Sequence, residues 1–224
     1  MMNIDYTTSL QQIKQVTDIW CAAGSTKVEG DGGSVSAADA ALRIGARAIA
    51  ADAHAVHMLW AWLENKGVEI LAVFQGREVK GLDPEKLSEQ IQAVLKKGAD
   101  GAIIKSTGDL SELTDALLPV KSDLFFGKKL FIALALDNIG PHDWGNIFRQ
   151  LKKLGADGIV LDARGARTVA GKVFGMLSNW DSGFAGRIMF LADHPVYMED
   201  ALRLIEKIKP ELIKKLRFFI GARH

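Results

Sequence analysis

The chain contains one cysteine, Cys21, among 224 residues, which excludes an internal disulfide. It also lacks an excess of either charge: 28 basic residues meet 27 acidic ones, for a formal net charge of +1. That balance argues against nucleic-acid binding as the main function, since such binding calls for a basic surface. No apolar run reaches the ~18–20 residues that a membrane-spanning helix needs, so no membrane role is expected. Met1–Leu10 carries no secretory signal, and the expected compartment is the cytoplasm. The G-x-G-x-x-G fingerprint is missing too. Gly30-Asp-Gly-Gly33 is glycine-rich but differently spaced, which counts against an open dinucleotide-binding sheet. At 48% hydrophobic and 25% charged, the composition excludes disordered, collagen-like, coiled-coil and zinc-ribbon classes.

What is present is a repeating unit. From Ser34 onward, an amphipathic stretch ends at a glycine and a short apolar run follows. Gly45 precedes Arg47–Asp52, Gly67 precedes Val68–Gln75, and Gly98 precedes Asp100–Lys105. Gly127 precedes Lys129–Asp137, Gly155 precedes Asp157–Asp162, and Gly186 precedes Arg187–Asp193. Near-continuous apolar runs between helical patterns describe parallel strands buried on both faces, hence βαβ units. With Leu216–Ile220 near the end and Thr26–Glu29 near the start, eight strands are predicted. Eight strands fit a closed (β/α)8 TIM barrel, read as a single domain over 1–224. An internal repeat agrees: Gly98-Ala-Asp-Gly101 and Gly155-Ala-Asp-Gly158 lie two βα units apart.

Two departures from the standard barrel are expected. Leu10, Ile13, Val16, Ile19 and Trp20 recur at helical spacing, which predicts a helix over Ser9–Ala22 within an N-terminal helical extension, 1–24. The predicted eighth strand lies close to His224, so no eighth helix is expected, and the N-terminal helix would cover that flank.

In a barrel the chemistry sits at the carboxyl ends of the strands. Those ends carry Asp52, Gln75, Lys105, Asp137, Asp162, Asp193-His194 and Gly221–His224. Lys105 closes an apolar run, so its stem starts inside the barrel. A partly desolvated lysine amine can form a Schiff base with a carbonyl. Asp162, Asp137 and Asp52 are the candidate carboxylates for proton transfer beside it. Gln75, Arg164, His194, Gly221 and Arg223 are the candidate substrate contacts, with Arg223 as an anion anchor. His54 and His57 are three apart, but His57 sits in an apolar helix, so neither a metal nor another cofactor is expected. Met58 and Trp62 make a second apolar stripe on the helix after the second strand, which predicts a homo-oligomer through that face.

Leu71–Gly76, Gly98–Lys105 and Gly158–Asp162 resemble the (5-formylfuran-3-yl)methyl phosphate synthases, which make a methanofuran precursor from triose phosphate through a lysine Schiff base. The likeness covers roughly Gly67–Arg167. It implies a TIM barrel and places Lys105 and Asp162 at family active-site positions. The family closes its second strand with a lysine where this chain has Asp52. The expected activity is a lyase or aldolase acting on a small phosphorylated carbonyl compound through Lys105. The competing readings are an isomerase or decarboxylase without a covalent step, and a non-catalytic barrel that serves as a binding or assembly subunit.

Overall fold

Eight parallel strands close into a barrel in sequence order, so the first strand pairs with the last. The structure is a computed structural model and describes residues 17–21, 31–74, 84–106, 110–119, 121–124, 126–166, 168–192 and 195–221. The strands are β1 Thr17–Trp20, β2 Ala48–Asp52, β3 Glu69–Phe74, β4 Gly101–Ser106, β5 Lys129–Ala135, β6 Gly158–Asp162, β7 Arg187–Leu191 and β8 Leu216–Gly221. Around them stand α1 Asp31–Ile44, α2 Val56–Leu63, α3 Pro84–Lys96, α4 Leu110–Leu117, α5 Lys121–Leu124, α6 Trp144–Leu154, α7 Val169–Ser178 and α8 Pro195–Ile208. Gly155 shows how the helices stop. It takes φ 61°, a left-handed conformation free of steric cost for glycine, and its N–H closes onto Leu151 and Lys152 of α6.

The strand register sorts the inward side chains into layers, each supplied by alternate strands. At the amino ends, Glu69, Lys129 and Arg187 share a layer. Glu69 is ion-paired with Lys129 and with Arg187, whose Nη1 lies 2.9 Å from it. Burial alone would raise the Glu69 pKa, but hydrogen bonds from Arg187 and Lys129 outweigh it and hold the carboxyl below its usual range. Its stabilising contribution is therefore complete above the free-glutamate range and fades as pH falls through the lowered value.

The next layer up contains Ala48, Gly101, Gly158 and Arg217. Small residues here admit the long arginine and the Phe131 ring above. A Cβ on Gly158 would stand 2.8 Å from that ring, and one on Gly101 would stand 2.5 Å from the Lys129 carbonyl oxygen. This explains the repeat: both second glycines occupy this layer. The aspartate before each ties down a neighbouring strand. Asp100 accepts the Ile70 N–H at 2.9 Å, and Asp157 accepts the Leu130 N–H at 2.8 Å.

The fold class stands, but the amino-terminal reading needs correction. Thr17–Trp20 is β1, a strand inside the barrel, so the helix expected over Ser9–Ala22 does not exist across these residues. The expected first strand, Thr26–Glu29, lies outside the described residues, as do 1–16. No helix follows β8 among the described residues. The helical spacing misled because Asp18 interrupts the apolar run. Its carboxylate faces inward, 1% exposed, where Arg217 donates to it through Nε at 2.8 Å and Nη2 at 2.5 Å. The Arg47 and Ala48 N–H groups at the start of β2 donate to it at 2.9 Å each. Removing one partner of such a pair leaves an uncompensated buried charge. Asp18→Ala is expected to lower stability by about 3–5 kcal/mol in guanidinium unfolding. A residue on a solvent-facing helix would change it by less than about 0.5 kcal/mol.

Candidate active site

At the carboxyl ends, the uppermost inward positions of the even strands close into one layer: Asp52 on β2, Lys105 on β4, Asp162 on β6 and Gly221 on β8. Each follows by two residues an inward apolar residue, Ala50, Ile103, Val160 or Phe219, as the period of two requires. Trp20, Val73, Ala133 and Leu191 form the layer beneath. The Lys105 Nζ stands 5.3 Å from the centroid of the Trp20 ring, and the Arg164 guanidinium carbon stands 5.9 Å from it. Arg164 lies in the turn after β6 and grips Asp162 as a fork, Nε to Oδ1 at 2.8 Å and Nη2 to Oδ2 at 2.7 Å. The Arg164 N–H also donates to Oδ1 at 3.2 Å, so both carboxylate oxygens are engaged.

The electrostatics follow from this placement. Burial holds the Lys105 pKa below its ordinary value, and the positive charge of Arg164 adds to that. The carboxylates of Asp162 and Asp52 pull the other way. Cys21, at the carboxyl end of β1, has its thiol pushed up to about 12, by burial first and by the charge of Asp52 second. The cluster thus offers a desolvated amine, a guanidinium and two carboxylates within one mouth, the arrangement expected for proton transfer beside a nucleophile.

Of the candidate residues, the structure brings together Lys105, Asp52, Asp162, Arg164 and Gly221. It does not bring in Asp137. Two residues beyond the end of β5, Asp137 sits exposed in a short 3-10 turn, Leu136–Asn138, and its carbonyl accepts from Lys172 at 3.2 Å. The sequence reading extended strand five to Asp137, whereas the strand stops at Ala135. Gln75, His194 and Arg223 lie outside the described residues. Trp20 was missed, because its segment reads as helix. Among the described residues no three His, Cys, Asp or Glu side chains converge in a metal-holding arrangement. On α2, Trp62 is 49% exposed and Met58 half-buried, while Trp60 covers Gly98.

No family model matches the chain, and no curated protein matches its sequence. Its fold has many solved relatives. A protein assigned as a deoxyribose-phosphate aldolase from Toxoplasma gondii ME49 superposes with a TM-score of 0.75 at 15% identity, over 96% of this chain and 91% of that one. A deoxyribose phosphate aldolase from Aeropyrum pernix, described as a tetramer, gives 0.70 at 13% identity over 98% and 94%. An oxaloacetate acetylhydrolase gives 0.58 at 12% identity over 96% and 79%. At these identities the likeness establishes the barrel, and the resemblance to methanofuran-precursor synthases narrows to that shared fold.

The raised thiol has a direct consequence. At pH 8, Cys21 is expected to react with a disulfide reagent more than about a hundredfold slower than a free thiol, since the thiolate is the nucleophile. Unfolding in guanidinium should restore the ordinary rate. Rapid labelling of the folded protein would contradict the placement of Cys21.

Proposed function

We propose that this chain is a barrel lyase of the aldolase type, acting on a small phosphorylated carbonyl compound through an imine on Lys105. The observation that carries the reading is the Lys105 amine itself, desolvated at the end of β4, beside a guanidinium and between two carboxylates of one layer. The aldolase names among the structural neighbours support it.

Burial and the charge of Arg164 lower the Lys105 pKa and so enlarge the share of free amine at a given pH. The Nζ lone pair attacks the substrate carbonyl carbon, the oxygen takes up protons and departs as water, and a cationic imine remains. That cation accepts the electron pair of the Cα–Cβ bond as it breaks and becomes an enamine, which is then protonated at Cα and hydrolysed by water to free the lysine amine. The β-hydroxyl becomes a carbonyl, and its proton passes to a carboxylate. Asp52, whose charge acts on the Lys105 amine, is assigned this role; Asp162 has both oxygens bonded to Arg164. Asp162 instead holds the guanidinium where it can receive the substrate phosphate. Gly221 leaves the mouth open above Trp20, and Gln75, His194 and Arg223 are further proposed substrate contacts.

The test is borohydride reduction in the presence of acetaldehyde or triose phosphates, followed by peptide mass spectrometry. A reduced adduct is expected on Lys105 and none in Lys105→Met. Asp52→Asn should still form the adduct while turnover falls by about 100-fold or more, the usual range for loss of a proton-transfer group. Turnover without any adduct on Lys105 would replace the covalent mechanism with an isomerase or decarboxylase one. Neither turnover nor adduct would leave a non-catalytic barrel.

The chain is further proposed to self-associate through α2. Trp62 is 49% exposed there, and α1, which packs beside α2, exposes Leu42 and Ile44. Soluble monomers avoid contiguous apolar patches, and tryptophan is a frequent anchor of interfaces. Trp62→Glu is expected to shift the protein toward monomer in light scattering, with its circular dichroism unchanged. A monomeric parent protein at micromolar concentration would overturn this.

A further inference from the structure

Trp20 plays no part in the steps above, yet it is placed with unusual care. It is fully buried and inward-facing, one layer below Lys105. Its register neighbours are Ala50 on β2 and Gly221 on β8, which clear space on both sides of a large ring. Ala133, the register neighbour of Lys105, leaves room for the lysine stem in the same way. Phe219 packs against the ring in a T-shaped pair from the layer below, with centroids 5.4 Å apart at 74°. Among the described residues, its buried indole Nε1 has no hydrogen-bond partner. Phenylalanine or leucine would fill the layer without stranding a donor. What indole adds is the strongest aromatic face for a cation, and two cations stand over it.

We infer that Trp20 is a positioning residue for Lys105, its buried indole face seating the lysine ammonium and the Arg164 guanidinium side by side and so fixing where the amine stands in the mouth. The inference deepens the reading of Lys105 as the reacting amine. The ring favours the charged form of the amine and so opposes the desolvation around it. Among the described residues, the other charged or titratable groups acting on the amine are Arg164, Asp162 and Asp52, with Cys21 beside Asp52. Losing the ring therefore moves the amine toward its neutral form, whereas losing either carboxylate would do so by removing a counter-charge.

The test reads the amine without any aldehyde. Competitive acetylation with acetic anhydride across pH, followed by mass spectrometry of the Lys105 peptide, gives the midpoint of its ionisation. Trp20→Leu is expected to lower that midpoint by about one pH unit, a tenfold rise in free amine at a given pH. Trp20→Phe keeps an aromatic face and should move it by less than half as much. A second measurement uses the unaltered protein. In 15N spectra one indole Nε1 signal should move with pH through the Lys105 midpoint, and should stop doing so in Lys105→Met. Equal midpoints in the parent and in folded Trp20→Leu, or indole signals indifferent to Lys105, would overturn the inference. A shifted midpoint in a protein that forms no adduct with aldehydes would instead sink the aldolase reading and leave Trp20 in its place.

Discussion

The barrel depends on one buried ion pair. Asp18 and Arg217 join β1 to β8, 199 residues apart in sequence, and the pair lies inside the closed sheet. Two charges taken out of water are costly unless their hydrogen bonds are complete. Here they are well supplied, because Asp18 also accepts two backbone N–H groups at the start of β2. One carboxylate thereby fastens the first strand to both of its neighbours. The register it helps to set propagates around the sheet, and a slip of one residue would turn every inward side chain outward.

The two ends of the barrel use the same residue types for opposite purposes. At the amino ends, Glu69 lies between Lys129 and Arg187, so every charge in the layer has a partner. At the carboxyl ends, Arg164 already satisfies Asp162, and Lys105 is left above an aromatic ring with its proton loosened by burial. Paired charges close the floor, whereas the amine at the mouth stands partly desolvated beside a like charge. Between the two ends, the interior is apolar apart from the mutually bonded Asp18 and Arg217.

Aldolases and an acetylhydrolase share this backbone at 12–15% identity, so the barrel does not select the chemistry. At the mouth of this chain lie four inward positions with the Trp20 ring beneath them. Glycine at position 221 and alanines at 50 and 133 matter as much as the charged residues, because they leave the volume in which indole and lysine stem fit.

The sequence by itself determined the barrel, because the alternation of glycine-ended helices with doubly buried strands is local and repeats. It also determined Lys105, Asp52 and Asp162 as strand-end residues, since a charge that closes an apolar run stands out without any tertiary knowledge. It misplaced β1, because a strand of four residues containing an aspartate carries too little local pattern to compete with helical spacing. It could not exclude Asp137, because one more turn after β5 depends on where the sheet stops pairing. Only the tertiary structure decided that Asp18 is a buried partner of Arg217 and that Trp20 lies under Lys105. Both facts rest on register between strands distant in sequence, and register is a property of the closed sheet rather than of any one segment.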